Sequence, residues 1–323
     1  MKDIKNVCIV ISLDFDLLWG VFDQIKLEEK GDYFQNTRMV IPRILDVFKR
    51  NNIHATGATV GMLFNNNWEE WESNIPKDFP TYSNNDLSAY VFGKQIKKNN
   101  SEEFCFAPNL ISLISNTEGQ EVATHTYSHY YCQEPGQETF QFKEDLIKAI
   151  EIAGKMNISL KSLVFPRNQI KNEYLEICFE LDILNVRSNP AAWYWKDATS
   201  SNIITKLSRT GDAYFNLGKK SYSWNQIEKK PGQPILQMAS RFLRPVENSE
   251  LLRKSKIARI FNEMELAARK KEIYHLWWHP HNFGDRPEES LVDLIKILEK
   301  YKSLHSKFGF QTFNIMEIGE LVS

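Results

Sequence analysis

Apolar and polar positions alternate along this chain in blocks that predict strand and helix in turn. Val7, Ile9 and Ile11, with Cys8 and Val10 between them, make a near-continuous apolar run over 6–16, the pattern of a strand buried on both faces. It ends in Ser12-Leu13-Asp14-Phe15-Asp16. Pro42 predicts the opening turn of a first helix, with Ile41, Ile44, Leu45 and Phe48 on its inner face. A second strand is expected over 55–63, a helix over 106–115 and a third strand over 121–124. Phe142, Leu146, Ala149, Ile150 and Ala153 mark the next helix, followed by a short strand from 162, a helix over 172–181 and a strand over 185–189. The pattern resumes with a strand over 235–240, a helix on Ile257, Ile260, Phe261 and Met264, and a strand from Ile273 to His279. A helix on Leu291, Leu294, Ile295 and Leu298 and a closing strand over 310–315 complete it.

Two stretches break the rhythm. Residues 64–100 read as loop and short helix, and 191–234 as an insertion too poor in apolar periodicity to bury a core of its own. Elsewhere strand and helix alternate without a Pro/Gly linker or an internal repeat. The expected architecture is therefore one α/β domain spanning 1–323, a distorted or incomplete (β/α) barrel with its functional side chains at the C-terminal ends of the strands.

Charge and cysteine content narrow the function classes. A net charge of -1 gives no electrostatic footprint for nucleic acid and no broad basic face for a membrane. Cys8, Cys105, Cys132 and Cys178 form no Cys-x-x-Cys pair, which argues against a zinc knot or a disulfide framework. With neither a leader-like start nor an apolar run of about 20 residues, a cytoplasmic location without a membrane span is the expectation.

The candidate chemistry centres on His125-Thr-Tyr-Ser-His129. Zinc holds imidazole nitrogens about 2.0–2.1 Å away, so two ligands on one ion must be neighbours. A four-residue step covers about 6 Å in a helical turn and roughly 13 Å in a strand, so 125–129 is expected to be a helical turn after the third strand. Asp14 and Asp16 share a strand face, so one can bind a metal while the other takes a proton. Asp16, His125 and His129 are assigned to the metal, Asp14 to the base and His279 to the acid, with Arg167 expected beside Asp14. From spacing alone the two aspartates could exchange roles, and His275 or His281 could replace His279, although Pro280 should turn His281 away. Trp19, Tyr130, Asn168, Trp193, Arg241, Arg244, Trp278 and His281 are the expected substrate contacts. Arg241 and Arg244 would meet a phosphate or carboxylate, or else simply cap a strand end.

These residues resemble the motifs of the polysaccharide deacetylase family, the carbohydrate esterases with a nodulation-deacetylase homology domain. Ser12-Leu-Asp14-Phe-Asp16 is similar to the first motif, base then metal ligand, and His125-Thr-Tyr-Ser-His129 matches the His-x-x-x-His of the second. Phe165-Pro-Arg167 resembles the third, which supplies the arginine next to the base, and Leu276-Trp-Trp-His279 resembles the fifth, which ends in the acid. The fourth, an Asp-x-x-Asp-Trp type element, has no counterpart, although Trp193 or Trp195 could fill its wall. The resemblance implies a distorted barrel and one divalent metal, zinc first, with cobalt or nickel as alternatives. It also implies removal of an N-acetyl or other small acyl group from a sugar, here a precursor of a surface polysaccharide. A cyclic imide or ureide hydrolase and a non-catalytic carbohydrate-binding homologue are the alternatives.

Overall fold

The computed structural model describes residues 7–195, 202–215 and 217–323. At its centre is β1 (Cys8–Phe15), in which every residue is buried. The period-two pleat sorts its side chains. Ile9, Ile11 and Leu13 pack outward in a cluster shared with the long helices Leu27–Arg50, Glu250–Lys270 and Pro287–Phe308. Cys8 and Val10 face the other way, into a smaller apolar cluster.

On one side of β1 lie, in order, β2 (Ala55–Thr59), β3 (Gln120–Thr124), β4 (Ser162–Val164), β5 (Asn185–Ser188) and β6 (Ile235–Met238). On the other side lie β8 (Ile273–Trp278) and β7 (Arg241–Phe242), while β9 (Gln311–Phe313) pairs with the start of β1. The strand pairings are parallel. β6 and β7 stand at opposite ends of this order, yet only Ala239 and Ser240 separate them in the chain. The ends must therefore meet. The Ala239 amide donates to Ser188 O and the Ser240 amide to His275 O, each at 2.8 Å. The strands are curled into a half-barrel drawn together by this short crossing, in agreement with the expected distorted (β/α) barrel.

The N-terminal end of the barrel is plugged. Cys8, Val10, Ala58, Ala123 and Val164 leave room for Ile315 and Ile318 of the final helix, Ile315–Val322. This helix approaches β5 so closely that a Cβ at Gly319 would overlap the Asn185 side chain. The sequence pattern does not predict it, because eight residues hold too few turns to show a period.

The first helix begins at Leu27, so Pro42 lies inside it rather than in its opening turn. Its early turns bury only Phe34 and Thr37 among charged neighbours, too weak a stripe to read. Within 64–100, helices Trp68–Ser73 and Ala89–Ile96 cover one flank of the barrel, and helix Ile203–Gly211 lies in the 191–234 insertion. No helix among the described residues is long and apolar enough to cross a membrane.

Candidate metal and acid–base site

Four strand ends supply the site. Asp14 is on the inward face of β1 and Asp16 just past its end; His125 and His129 follow β3, Arg187 is in β5, and His279 follows β8.

The two histidines do not ride on a helical turn. Residues 125–130 form a bend in which Thr126 and His129 have left-handed backbone, with φ of 62° and 55°. Asp145, from helix Thr139–Gly154, fastens the bend by accepting from the Tyr127 amide (2.7 Å), the Ser128 amide (3.1 Å) and the Ser128 hydroxyl. Side-chain acceptance replaces the helical ladder. The consequence is still the expected one, with the rings of His125 and His129 only 5.0 Å apart.

One nitrogen from each of His125 and His129 and one oxygen of Asp16 lie within 4.8 Å of one another, all three residues buried. His125 Nδ1 faces Val164 O at 2.7 Å and must donate to it, because a carbonyl only accepts. In the neutral ring Nε2 is then a bare lone pair, and it has no hydrogen-bond partner; nor does His129 Nδ1. Burial pushes both imidazoles below their usual pKa, with His125 pushing His129 further down. Burial alone would raise the Asp16 carboxyl, but the neighbouring charges of His281 and His279, with their hydrogen bonds, hold it well below the carboxylate range. Two neutral imidazoles and one carboxylate are the donor set of a divalent-metal site with room for a further ligand. Gly20 makes this possible, since a Cβ there would overlap the Asp16 carboxylate.

Asp16, His279 and His281 meet the same distance criterion. In that trio, however, the His279 and His281 Nδ1 atoms already bond to Asp16 Oδ2 (3.0 Å) and Oδ1 (2.9 Å). The buried nitrogens without partners belong to the first trio.

Asp14 is gripped by Arg187, with Nη1–Oδ1 at 2.6 Å and Nη2–Oδ2 at 2.7 Å. Arg187 also reaches Ser12 Oγ (3.0 Å) and Asn168 Oδ1 (3.1 Å), and lies 4.3 Å over the Trp277 ring. Ser12 in turn meets His275 Nε2 at 2.8 Å, which places His275 beneath the site. Burial would raise the Asp14 carboxyl, but Arg187, then His279 and His125, hold it below its usual value. Burial would lower His279, but Asp16, then Asp14, raise it above the usual imidazole range. Its Nε2 stands 4.0 Å from Asp14 Oδ2, and a quarter of its side chain is exposed.

Several expectations are corrected by these placements. Arg167 is not beside Asp14: it pairs with Asp23 and lies 4.2 Å over Tyr131, because its left-handed φ of 53° turns it to the outer rim. His281 is not turned away, since the short turn Pro280–Phe283 folds it back onto Asp16. Trp19 is fully buried with its indole N–H on Cys105 O (2.6 Å). Tyr130 is buried with its hydroxyl on Gln137 (2.7 Å). Trp278 points outward from β8 into the helix layer and stacks on Phe283. Arg241 is buried in a bidentate pair with Glu263, Nη2–Oε1 at 2.6 Å, so it is no free anion binder. Of the expected substrate contacts, Asn168 touches Arg187, Arg244 lines a cleft with Trp195 and Trp277, and Trp193 is exposed beyond it. Arg187 and Asp145 were not anticipated, although an arginine within the short predicted strand at 185–189 could have signalled a buried acidic partner.

The polysaccharide deacetylase family model matches residues 10–186, more than half of the chain. The chain belongs to the polysaccharide deacetylase family. Solved structures agree on the fold. A Mycobacterium smegmatis protein provisionally named a polysaccharide deacetylase superposes with a TM-score of 0.62 at 13% identity, covering 100% of this chain and 92% of that one. Puue allantoinase gives 0.55 at 12% identity over 98% and 91%, and a provisionally named polysaccharide deacetylase from Pseudomonas aeruginosa PAO1 gives 0.54 at 10% over 97% and 89%. No curated protein matches the chain in sequence. Within the polysaccharide deacetylase pattern, this chain departs in drawing the arginine at its first-motif aspartate from β5, as Arg187, instead of from Phe165-Pro-Arg167.

Proposed function

We propose that this chain is a metal-dependent hydrolase that removes an N-acetyl or other small acyl group from a sugar, within the cell, on a precursor of a surface polysaccharide. One observation carries the reading: Asp14, paired with Arg187, and His279, whose Nε2 stands 4.0 Å from it, face each other beside the buried His125 Nε2 and His129 Nδ1, which have no hydrogen-bond partner. Asp16, His125 and His129 would hold the ion, with zinc suited to two imidazoles and a carboxylate. When bound, such an ion polarises an acyl oxygen and lowers the pKa of water.

The chain's own residues handle the protons. Asp14, kept ionised by Arg187, accepts the proton of the attacking water. His279, oriented by its Nδ1 bond to Asp16, gives its Nε2 proton to the departing amine, which is a poor leaving group until protonated. The four cysteines are buried free thiols, which suits a reducing compartment.

Acetate release from N-acetylated sugars and short glycans, with and without added zinc, tests the proposal. Release that depends on Asp14 supports it. Opening of a cyclic ureide without acetate release, or no turnover of either substrate class by metal-loaded protein, overturns it.

A further inference from the structure

We propose that Ser12 and His275 are positioning residues for the reaction, holding the Arg187 guanidinium in the one orientation that grips both oxygens of Asp14. The inference rests on the proton-acceptor role given to Asp14 above, and it places neither residue against the reacting atoms.

Reach sets the problem. β2, β3 and β4 stand between β1 and β5 in the sheet, so Arg187 crosses the inside of the barrel to meet Asp14. A long side chain arriving from a short strand has many rotamers open to it, and about 1 Å of misplacement can cost 10²-fold in rate. Here every proton on its two terminal nitrogens is engaged. Nη1 donates to Asp14 Oδ1 (2.6 Å) and Ser12 Oγ (3.0 Å), while Nη2 donates to Asp14 Oδ2 (2.7 Å) and Asn168 Oδ1 (3.1 Å). The Trp277 ring, 4.3 Å from the guanidinium, fixes its plane, and the two outer acceptors fix its rotation within that plane.

Ser12 serves only if its hydroxyl is turned the right way. Arginine has no acceptor, so Ser12 Oγ must offer Nη1 a lone pair and place its own proton elsewhere. His275 Nε2, 2.8 Å away, takes that proton as a hydrogen-bond acceptor. Burial, with the nearby charge of Arg187, pushes His275 down to about 3, so the ring is neutral and does not repel the guanidinium. The backbone of His275 is pinned in turn. Its amide donates to Ser240 Oγ at 2.9 Å and its carbonyl accepts from the Ser240 amide at 2.8 Å, so the crossing that closes the barrel also anchors this contact. Ser12 and His275 are fully buried. An apolar pair would fill the same space; what the polar pair adds is direction.

Steady-state kinetics and crystal structures of zinc-loaded Ser12→Ala, His275→Phe and the double variant test this. The expected result in each single variant is a kcat lower by about 10–100-fold with KM within about twofold. The double variant should lose no more than either single one, because the two residues act as a unit. In the structures the guanidinium should be displaced from the Asp14 carboxylate by more than about 0.5 Å, with metal content at the wild-type level. Acetate release by the wild type reports on the deacetylase reading alone; where there is none, the guanidinium position in the Ser12→Ala structure still decides the proposal. Ser12→Ala also carries the test by itself should His275→Phe fail to fold. An undisturbed fork or a wild-type kcat in Ser12→Ala, or losses that multiply in the double variant, would each overturn the proposal.

Discussion

Arg187 in β5 and Asp14 in β1 form a bidentate ion pair across the inside of the barrel, with both side chains at least 97% buried. The pair fixes the carboxylate and keeps it charged where burial would otherwise neutralise it. Arg187→Ala would leave Asp14 unpaired in the interior, a loss of about 3–5 kcal/mol, together with loss of turnover. Arg187→Lys keeps the charge but not the fork, and should recover part of the stability and little of the activity. Arg167→Ala, on the rim, should be milder in both respects. Thermal unfolding and acetate release on the three variants check this ordering; wild-type melting of Arg187→Ala would refute it.

Asp14→Asn should lower the turnover rate by about 10²–10⁴ while leaving bound metal unchanged. Metal content measured beside the rate separates the two aspartates. If the variant loses its metal, Asp14 is the ligand and Asp16 the proton acceptor.

Asp145 touches neither substrate nor the proposed ligands, yet it holds the bend between His125 and His129. Asp145→Ala should weaken zinc binding by about 10–100-fold in calorimetric titration. Its pH signature has a definite sign. Burial outweighs the hydrogen bonds from Ser128 and Tyr127 and pushes the Asp145 carboxyl from 3.8 up to about 7. The folded state therefore holds this proton more tightly than the unfolded chain does. The resulting stability is complete below 3.8 and is lost as pH rises to about 7. Urea titrations across that window should show Asp145→Asn losing less stability with rising pH than the wild type; parallel slopes would rule the assignment out.

Gly20→Ala should act on the metal rather than on the fold as a whole, because the added methyl collides with the Asp16 carboxylate. The expected outcome is much weaker metal affinity with circular dichroism close to wild type. Unchanged affinity would mean that Asp16 is free to move aside.

Legibility in the sequence follows from where each constraint lies. β1 and β8 were readable because both are long buried runs, and their ends carry Asp14, Asp16 and His279 at positions that strand periodicity alone locates. The His125–His129 pair was readable as a pair but not in its geometry. The bend is held by Asp145 from 17 and 18 residues away in sequence, and no local pattern records it. Arg167 and Arg187 show the same limit: one follows a short strand and the other lies within one, and only the left-handed turn at Arg167 and the curl of the sheet decide which one meets Asp14. Trp19, Trp278 and Arg241 looked like binding residues from composition, but packing put all three in the interior.

The central claim is that Asp16, His125 and His129 share one cation. Metal analysis of purified wild type, His125→Ala, His129→Ala and His281→Ala after equilibration with zinc tests it most directly. The account predicts one equivalent in the wild type, retention in His281→Ala with weakened affinity, and essentially none in His125→Ala and His129→Ala. A full equivalent in His125→Ala and His129→Ala, with loss confined to His281→Ala, would contradict it.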